Sequence, residues 1–151
     1  MTLMGEPLRD RILNFLAHHH VMTLATVRPD GFPQATMVYY VNSDLLLHFA
    51  TDPGSQKAGN IRLNNKVSVA IAGQTERAYK LNAFYLSGTA KRITDPGLVR
   101  EVQLKLFQAI PEAKRFAPAN THQLAVYSIT PVAISLVDFK AGYGNSVLVE
   151  L

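Results

Sequence analysis

The sequence contains no cysteine, which excludes a disulfide framework, a thiolate metal site and a thiol nucleophile together. That absence suits a reducing compartment, although cysteine-free chains also occur outside one. No apolar run reaches the ~20 residues a membrane-spanning helix needs, and the N-terminus lacks the basic, apolar and small-residue order of a secretory signal. A cytoplasmic chain is the expectation. Runs of Lys or Arg are missing too: fifteen basic and eleven acidic residues leave a net charge of +4, spread along the chain. This is too diffuse for the basic stripe that nucleic-acid binding asks for. It suffices for a phosphorylated small molecule, because one or two charge-assisted hydrogen bonds hold a phosphate. Serine and histidine are present, but no nucleophile elbow or other hydrolytic signature accompanies them.

What the chain does have is apolar residues, 48% of its 151 positions. A chain of this length buries about two-thirds of the surface its unfolded form exposes, so residues 1–151 read as one domain with one core. Leu8, Ile12, Leu13, Phe15 and Leu16 recur at helical spacing behind Pro7, which predicts an amphipathic helix from Glu6 to about His19. Short β-rich runs follow. "VMTLATV", the turn "RPDGFP", "QATMVYYV", the tight turn "NSD" and "LLLHFA" predict three antiparallel strands in a meander. A short helix to about Asn65 precedes the strands "KVSVAIAG" and "NAFYLSGTAKRI". In "TDPGLVREVQLKLFQAI", Asp95 is a candidate N-cap and Pro96 takes the first helical position, with Val99, Val102, Leu106 and Ile110 on one face. "QLAVYSITPVAISLVDF" reads as a strand bulged or broken at Pro131, since proline cannot donate to a ladder. "KAGYGNS" leads to a last strand, "VLVEL". Six or so strands with short helices between hairpins predict an α+β, mainly β fold: an antiparallel barrel or strongly curled sheet.

The stretch "TDPGSQKAGNI", Thr51 to Ile61, carries the most chemistry. Asp-Pro-Gly forms a turn and Ser55 caps a helix. A helix N-terminus also presents free N–H groups and partial positive charge, so Ser55 with Lys57 suits an anion. If "QATMVYY" and "LLLHFA" pair as a hairpin, a ligand with its phosphate on these residues lies along the hairpin's edge. The three histidines His18, His19 and His20 point about 100° apart on a helix and cannot converge on one ion; they read as the end of the first helix. His48 reads as a packed strand residue, His122 has no partner nameable from sequence, and Asp138 reads as a turn or cap residue. Tyr39, Tyr40, Phe84 and Tyr85 suit a barrel core and a dimer interface.

The stretch "LATVRPDGFPQATMVYYVNSDLLLHFATDPGSQKAGNIRLNNKVSVAI", with "LSGTAKRIT" after it, resembles the FMN-binding split β-barrel proteins related to pyridoxamine 5'-phosphate oxidase. The order is shared: a hairpin turn, a second strand, a third strand ending in Thr, then a Ser-Arg-Lys phosphate motif. The closing "DFKAGYGNSVLVEL" resembles small bacterial members of that family. The resemblance implies a split barrel that binds FMN, at the interface of a homodimer. It places Ser55, Gln56 and Lys57 on the phosphate motif, and Ala50 and Thr51 on adjoining ribityl and phosphate contacts. Ala35, Thr36, Met37 and Val38 fall on the strand whose backbone bonds the flavin edge, and Tyr143 and Asn145 are candidates to reach the partner's site. Gln56, Ala35 and Tyr40 stand where the oxidase itself carries basic residues, so pyridoxamine phosphate oxidation is not assigned. The implied function is an FMN-dependent oxidoreductase acting on an unidentified small molecule. The alternatives are a non-catalytic flavin carrier or sensor, and a protein for deazaflavin F420 or haem.

Overall fold

The computed structural model describes residues 4–73, 82–116, 123–138 and 146–151. His122, Tyr143 and Asn145 lie outside the described residues. Helix α1 (Glu6–Ala17) is followed by β1 (Val21–Val27), β2 (Pro33–Tyr39), β3 (Val41–Ser43) and β4 (Leu46–Thr51). Then come α2 (Gln56–Leu63), β5 (Lys66–Ala72), β6 (Asn82–Arg92), α3 (Pro96–Ala109), α4 (Ala113–Phe116), β7 (Ala125–Asp138) and β8 (Ser146–Glu150). No described helix is long and apolar enough to cross a membrane.

Eight strands rather than six form one antiparallel sheet in the order β2-β1-β5-β6-β7-β4-β3, with β8 added on β7. Its two ends, β2 and β3, are consecutive in the chain and joined through Tyr40, so the sheet curls round on itself into the expected split barrel. The inner face carries Met22 and Leu24 from β1, Leu47 and Phe49 from β4, Val69 and Ile71 from β5, Phe84 and Leu86 from β6, and Ile129 and Ile134 from β7. Ile12 and Leu16 of α1, both fully buried, join this core. A second apolar cluster lies under α3, where Val102 and Leu106 meet Val41 and Val126.

Local signals act where expected. Gly31 takes φ +86° in the first turn, and Asp30 Oδ1 accepts from Phe32 N. Asp95 Oδ2 accepts from Leu98 N at 2.8 Å to cap α3. Helix α1 stops at Ala17, two residues short of the expected end. Beyond it, the Nδ1 atoms of His18 and His19 donate to the Asn14 and Phe15 carbonyls, each at 2.7 Å, closing the last turn with side chains. Asp138 ends β7 and forms an ion pair with Arg11 at 3.1 Å.

Strand β7 bulges at Pro131: Gly88 pairs with Pro131 while Ser87 pairs with Ala133. The bulge also divides its other edge, where Ala125 to Ile129 pairs with β4 and Ala133 to Val137 with β8. Opposite the bulge a Cβ on Gly88 would stand 2.5 Å from the Thr130 carbonyl oxygen, so only glycine fits without moving backbone. Gly88→Ala is expected to cost about 1–3 kcal/mol, the usual range for overpacking, in urea unfolding; an unchanged midpoint would refute the tight fit.

His48 alternates with the inward Leu47 and Phe49, so it points out of the barrel and is buried beneath α3. Its Nδ1 has no hydrogen-bond partner among the described residues. Burial chiefly, and then the nearby Lys105 ammonium, push its pKa below the ordinary histidine range, with Glu101 opposing. The unfolded chain therefore takes up a proton at higher pH than the folded one. Stability is full above the unfolded value and falls as pH drops through it. Thermal melts between about pH 7 and pH 5 should show this loss, and His48→Gln should flatten the slope; an equal slope in both proteins would rule His48 out.

Candidate functional site

The second and third strands of the expected meander do not lie side by side along their length. β3 and β4 pair over only Val41↔His48, Asn42↔Leu47 and Ser43↔Leu46. Upstream of Tyr40 the chain turns away and pairs with β1, from Val21↔Tyr39 to Val27↔Pro33. β4 meanwhile continues against β7. Two demands separate them: Tyr40 N donates to the His20 carbonyl at 2.9 Å, and its fully buried ring sends its hydroxyl to the Leu16 carbonyl at 3.0 Å. Position 40 is thus a core anchor, and burial raises the pKa of its phenol.

Where the strands part, a cleft of about 300 Å³ opens, at the lower end of the range for small-molecule sites. Met37, Val38 and Tyr39 line one side, and Ala50, Thr51 and Lys57 another. β2 is an edge strand with no neighbour but β1 among the described residues. Its backbone groups turned away from β1 therefore have no ladder partner. Met37, at 68% exposure, and Tyr39, at 43%, stand on its open face.

Helix α3 supplies the wall that sequence reading missed. Gln103, Leu106, Phe107 and Ile110 face the cleft at spacings of three, four and seven residues. Leu106 and Ile110 were legible as a core face; nothing in a single sequence says that the adjacent positions line a cavity. Lys57 is the one charged group among the described lining residues, and it has no carboxylate partner among them. An anion is therefore favoured at that end.

The turn into α2 is built as its residues require. Asp52 Oδ1 accepts from Gly54 N at 2.8 Å, and Ser55 Oγ accepts from Ala58 N at 3.3 Å as the helix cap. Ser55 and Thr51 hydroxyls meet at 3.2 Å. Met37, Val38, Ala50, Thr51 and Lys57 of the sequence-derived set thus share one cleft. Ala35 and Thr36 lie further along β2 and are not in its lining, and Ser55 faces a neighbouring groove. Gln56 is exposed, and its amide is engaged within the helix, donating to Asn60 Oδ1 at 2.8 Å.

Asn60 is another residue the sequence concealed. Though polar and mid-helix, it is fully buried. Its Nδ2 donates to Thr26 Oγ1 at 3.0 Å and to Gln34 Oε1 at 3.1 Å, pinning α2 to β1 and β2. Asn60→Ala would strand the buried Thr26 hydroxyl and is expected to cost about 2 kcal/mol in chemical denaturation. A loss below a few tenths of that would show that the network holds nothing.

A curled antiparallel sheet whose second hairpin splays beside a capped helix is a split β-barrel. The chain belongs to the family described as pyridoxamine 5'-phosphate oxidase, which matches residues 8–138. No curated protein matches it in sequence. Among solved structures it is similar to a haem-binding protein from Mycobacterium smegmatis, with TM-score 0.79 at 18% identity over 99% of this chain and 60% of that one. It therefore spans only about three-fifths of that protein. It is also similar to a conserved hypothetical protein from Mycobacterium tuberculosis (TM-score 0.78, 23% identity, 95% of this chain and 91% of that one). A FAD-binding protein from Mesorhizobium loti aligns with TM-score 0.70 at 18% identity, over 88% of this chain and 94% of that one. At these identities the likeness is one of fold.

Proposed function

We propose that this chain binds FMN in the cleft and serves as a cytoplasmic FMN-dependent oxidoreductase for a small molecule. The observation that carries the reading is the parted hairpin: an unpaired strand edge and an apolar wall at one end, a lone cation beside a capped helix at the other. This donor set fits the cofactor. Leu106, Phe107 and Ile110 give a flat ring an apolar surface, while Thr51, Lys57 and the first turn of α2 suit its phosphate. FMN would bring hydride and electron transfer through its own ring. The chain's part is to bind, orient and exclude water: free N–H groups on the Ala35 to Val38 edge can donate to the ring's rim, where fixed dipoles stabilise added negative charge. The similar structures described as haem-binding and FAD-binding support a fold able to hold flat aromatic groups. The exposed Met37, Tyr39 and Phe32 support pairing with a second copy, as a homodimer with the flavin between subunits.

One observation favours a second reading, a non-catalytic flavin carrier or sensor. The described residues lining the cleft include no carboxylate or imidazole to relay a proton. NAD(P)H consumption by the FMN-loaded protein would dismiss it. F420 and haem differ from FMN in visible absorption, so a spectrum of the protein as purified separates all three.

Titration with FMN, followed by quenching of flavin fluorescence, should show saturable uptake. Lys57→Gln should weaken it by roughly 10- to 100-fold, the value of one charge-assisted hydrogen bond. A chain that takes up no FMN would overturn the proposal.

A further inference from the structure

Across α2 from the cleft lies a larger groove, of about 530 Å³. One wall is the helix face Ser55, Gly59 and Arg62, and the other is the end of β6 with Lys91 and Arg92; Tyr127 of β7 also lines it. Of these residues the FMN reading uses only Ser55, the cap of α2; Gly59, Arg62, Lys91, Arg92 and Tyr127 have no part in it.

The groove's positive charge is uncompensated. Four cations outside the groove are paired, Arg9 with Asp44, Arg11 with Asp138, Arg28 with Asp30 and Lys105 with Glu101, whereas Lys57, Lys66 and Arg100 stand singly among the described residues; the groove differs in bringing three unpaired cations together. Arg62, Lys91 and Arg92 have no carboxylate partner among the described residues. The nearest stretch of groove continues past Lys91 and Arg92 to Asp95, but Asp95 Oδ2 is occupied by the Leu98 N–H. Asp52 likewise spends Oδ1 on Gly54 N. Tyr127 adds an independent sign. Its ring is stacked on Phe49 at 5.1 Å and the residue is only 5% exposed, yet its hydroxyl has no hydrogen-bond partner among the described residues. The ring is buried but the residue lines the groove, so a hydroxyl open to that space can donate to an acceptor held beside the three cations.

We infer that this groove binds the phosphate monoester of a small organic molecule, at a site separate from the cleft. Two guanidinium groups and an ammonium match a phosphate dianion, since the forked arginine donors engage two oxygens at once. Gly59 has open space where a side chain would stand, so the helix backbone is approachable. The volume exceeds what phosphate alone needs and lies within the range for small ligands. A nucleic acid fits less well, because three cations in one groove make no continuous track.

Calorimetric titration with ribose 5-phosphate, ribose and inorganic phosphate tests this. Ribose 5-phosphate should bind, at least tenfold more tightly than either ribose or inorganic phosphate. The double variant Lys91→Gln, Arg92→Gln should weaken it at least tenfold. Arg62→Gln and Tyr127→Phe should each weaken it several-fold, the latter keeping the stacked ring, with melts confirming that every variant folds. Lys57→Gln, in the cleft, should leave the affinity within twofold. The inference is overturned if ribose 5-phosphate gives no heat or if ribose binds equally. It is overturned too if inorganic phosphate binds as tightly, if Lys57→Gln alone abolishes binding, or if a single-stranded oligonucleotide binds more tightly with increasing length.

Discussion

Tyr40 is the pivot on which the barrel turns. One continuous stretch of chain, residues 33–43, must serve two ladders, with β1 before Tyr40 and with β4 after it. A strand can change partners only if something holds the point of change. Here the ring is sunk in the core, the N–H goes to His20 and the hydroxyl to Leu16, so the residue ties the bend to the last turn of α1. Removing the bend would let β2 and β4 zip together. The sheet would then gain backbone hydrogen bonds and lose the cleft, so the opening depends on a constraint in the core behind it.

The second constraint is the seating of α2. Ala58 and Ile61 are its only buried apolar side chains, too few to hold a two-turn helix by hydrophobic contact, and short helices are marginal alone. The chain compensates with polar bonds: Gln56 holds Asn60, and Asn60 holds Thr26 and Gln34. Hydrogen bonds are directional where apolar contact is not. They therefore seat the helix in rotation as well as position, which places Lys57 toward the cleft and Arg62 toward the groove.

Features encoded within a few residues were legible in the sequence. The Asp30-Gly31 turn, the caps at Ser55 and Asp95 and the proline bulge each need only local chemistry, and the order of strands and helices followed from them. The split itself was not legible, because a three-pair hairpin and a full one share the same turn and the same alternation. What parts them is Tyr40, whose N–H and hydroxyl go to the His20 and Leu16 carbonyls. The role of Asn60 was hidden for a similar reason: a mid-helix asparagine reads as solvated until the partners 26 and 34 residues away are folded against it. The residues 55, 62, 91, 92 and 127 that line the groove come from α2, β6 and β7, and no motif spans them.

Position 56 connects these points. The family places arginine between the serine and the lysine of its phosphate motif, whereas this chain has Gln56, whose amide turns along the helix to Asn60. A guanidinium there would add charge beside the cleft; the amide instead strengthens the network that seats α2. On the cleft side Lys57 is left as the sole cation among the described lining residues, while across the same helix Arg62 stands with Lys91 and Arg92. The hydroxyls of Thr51 and Ser55 meet at the helix start, one lining each cavity. Positive charge around this helix is thus weighted toward the groove, and an anion drawn to α2 meets the stronger field on the side away from the cleft.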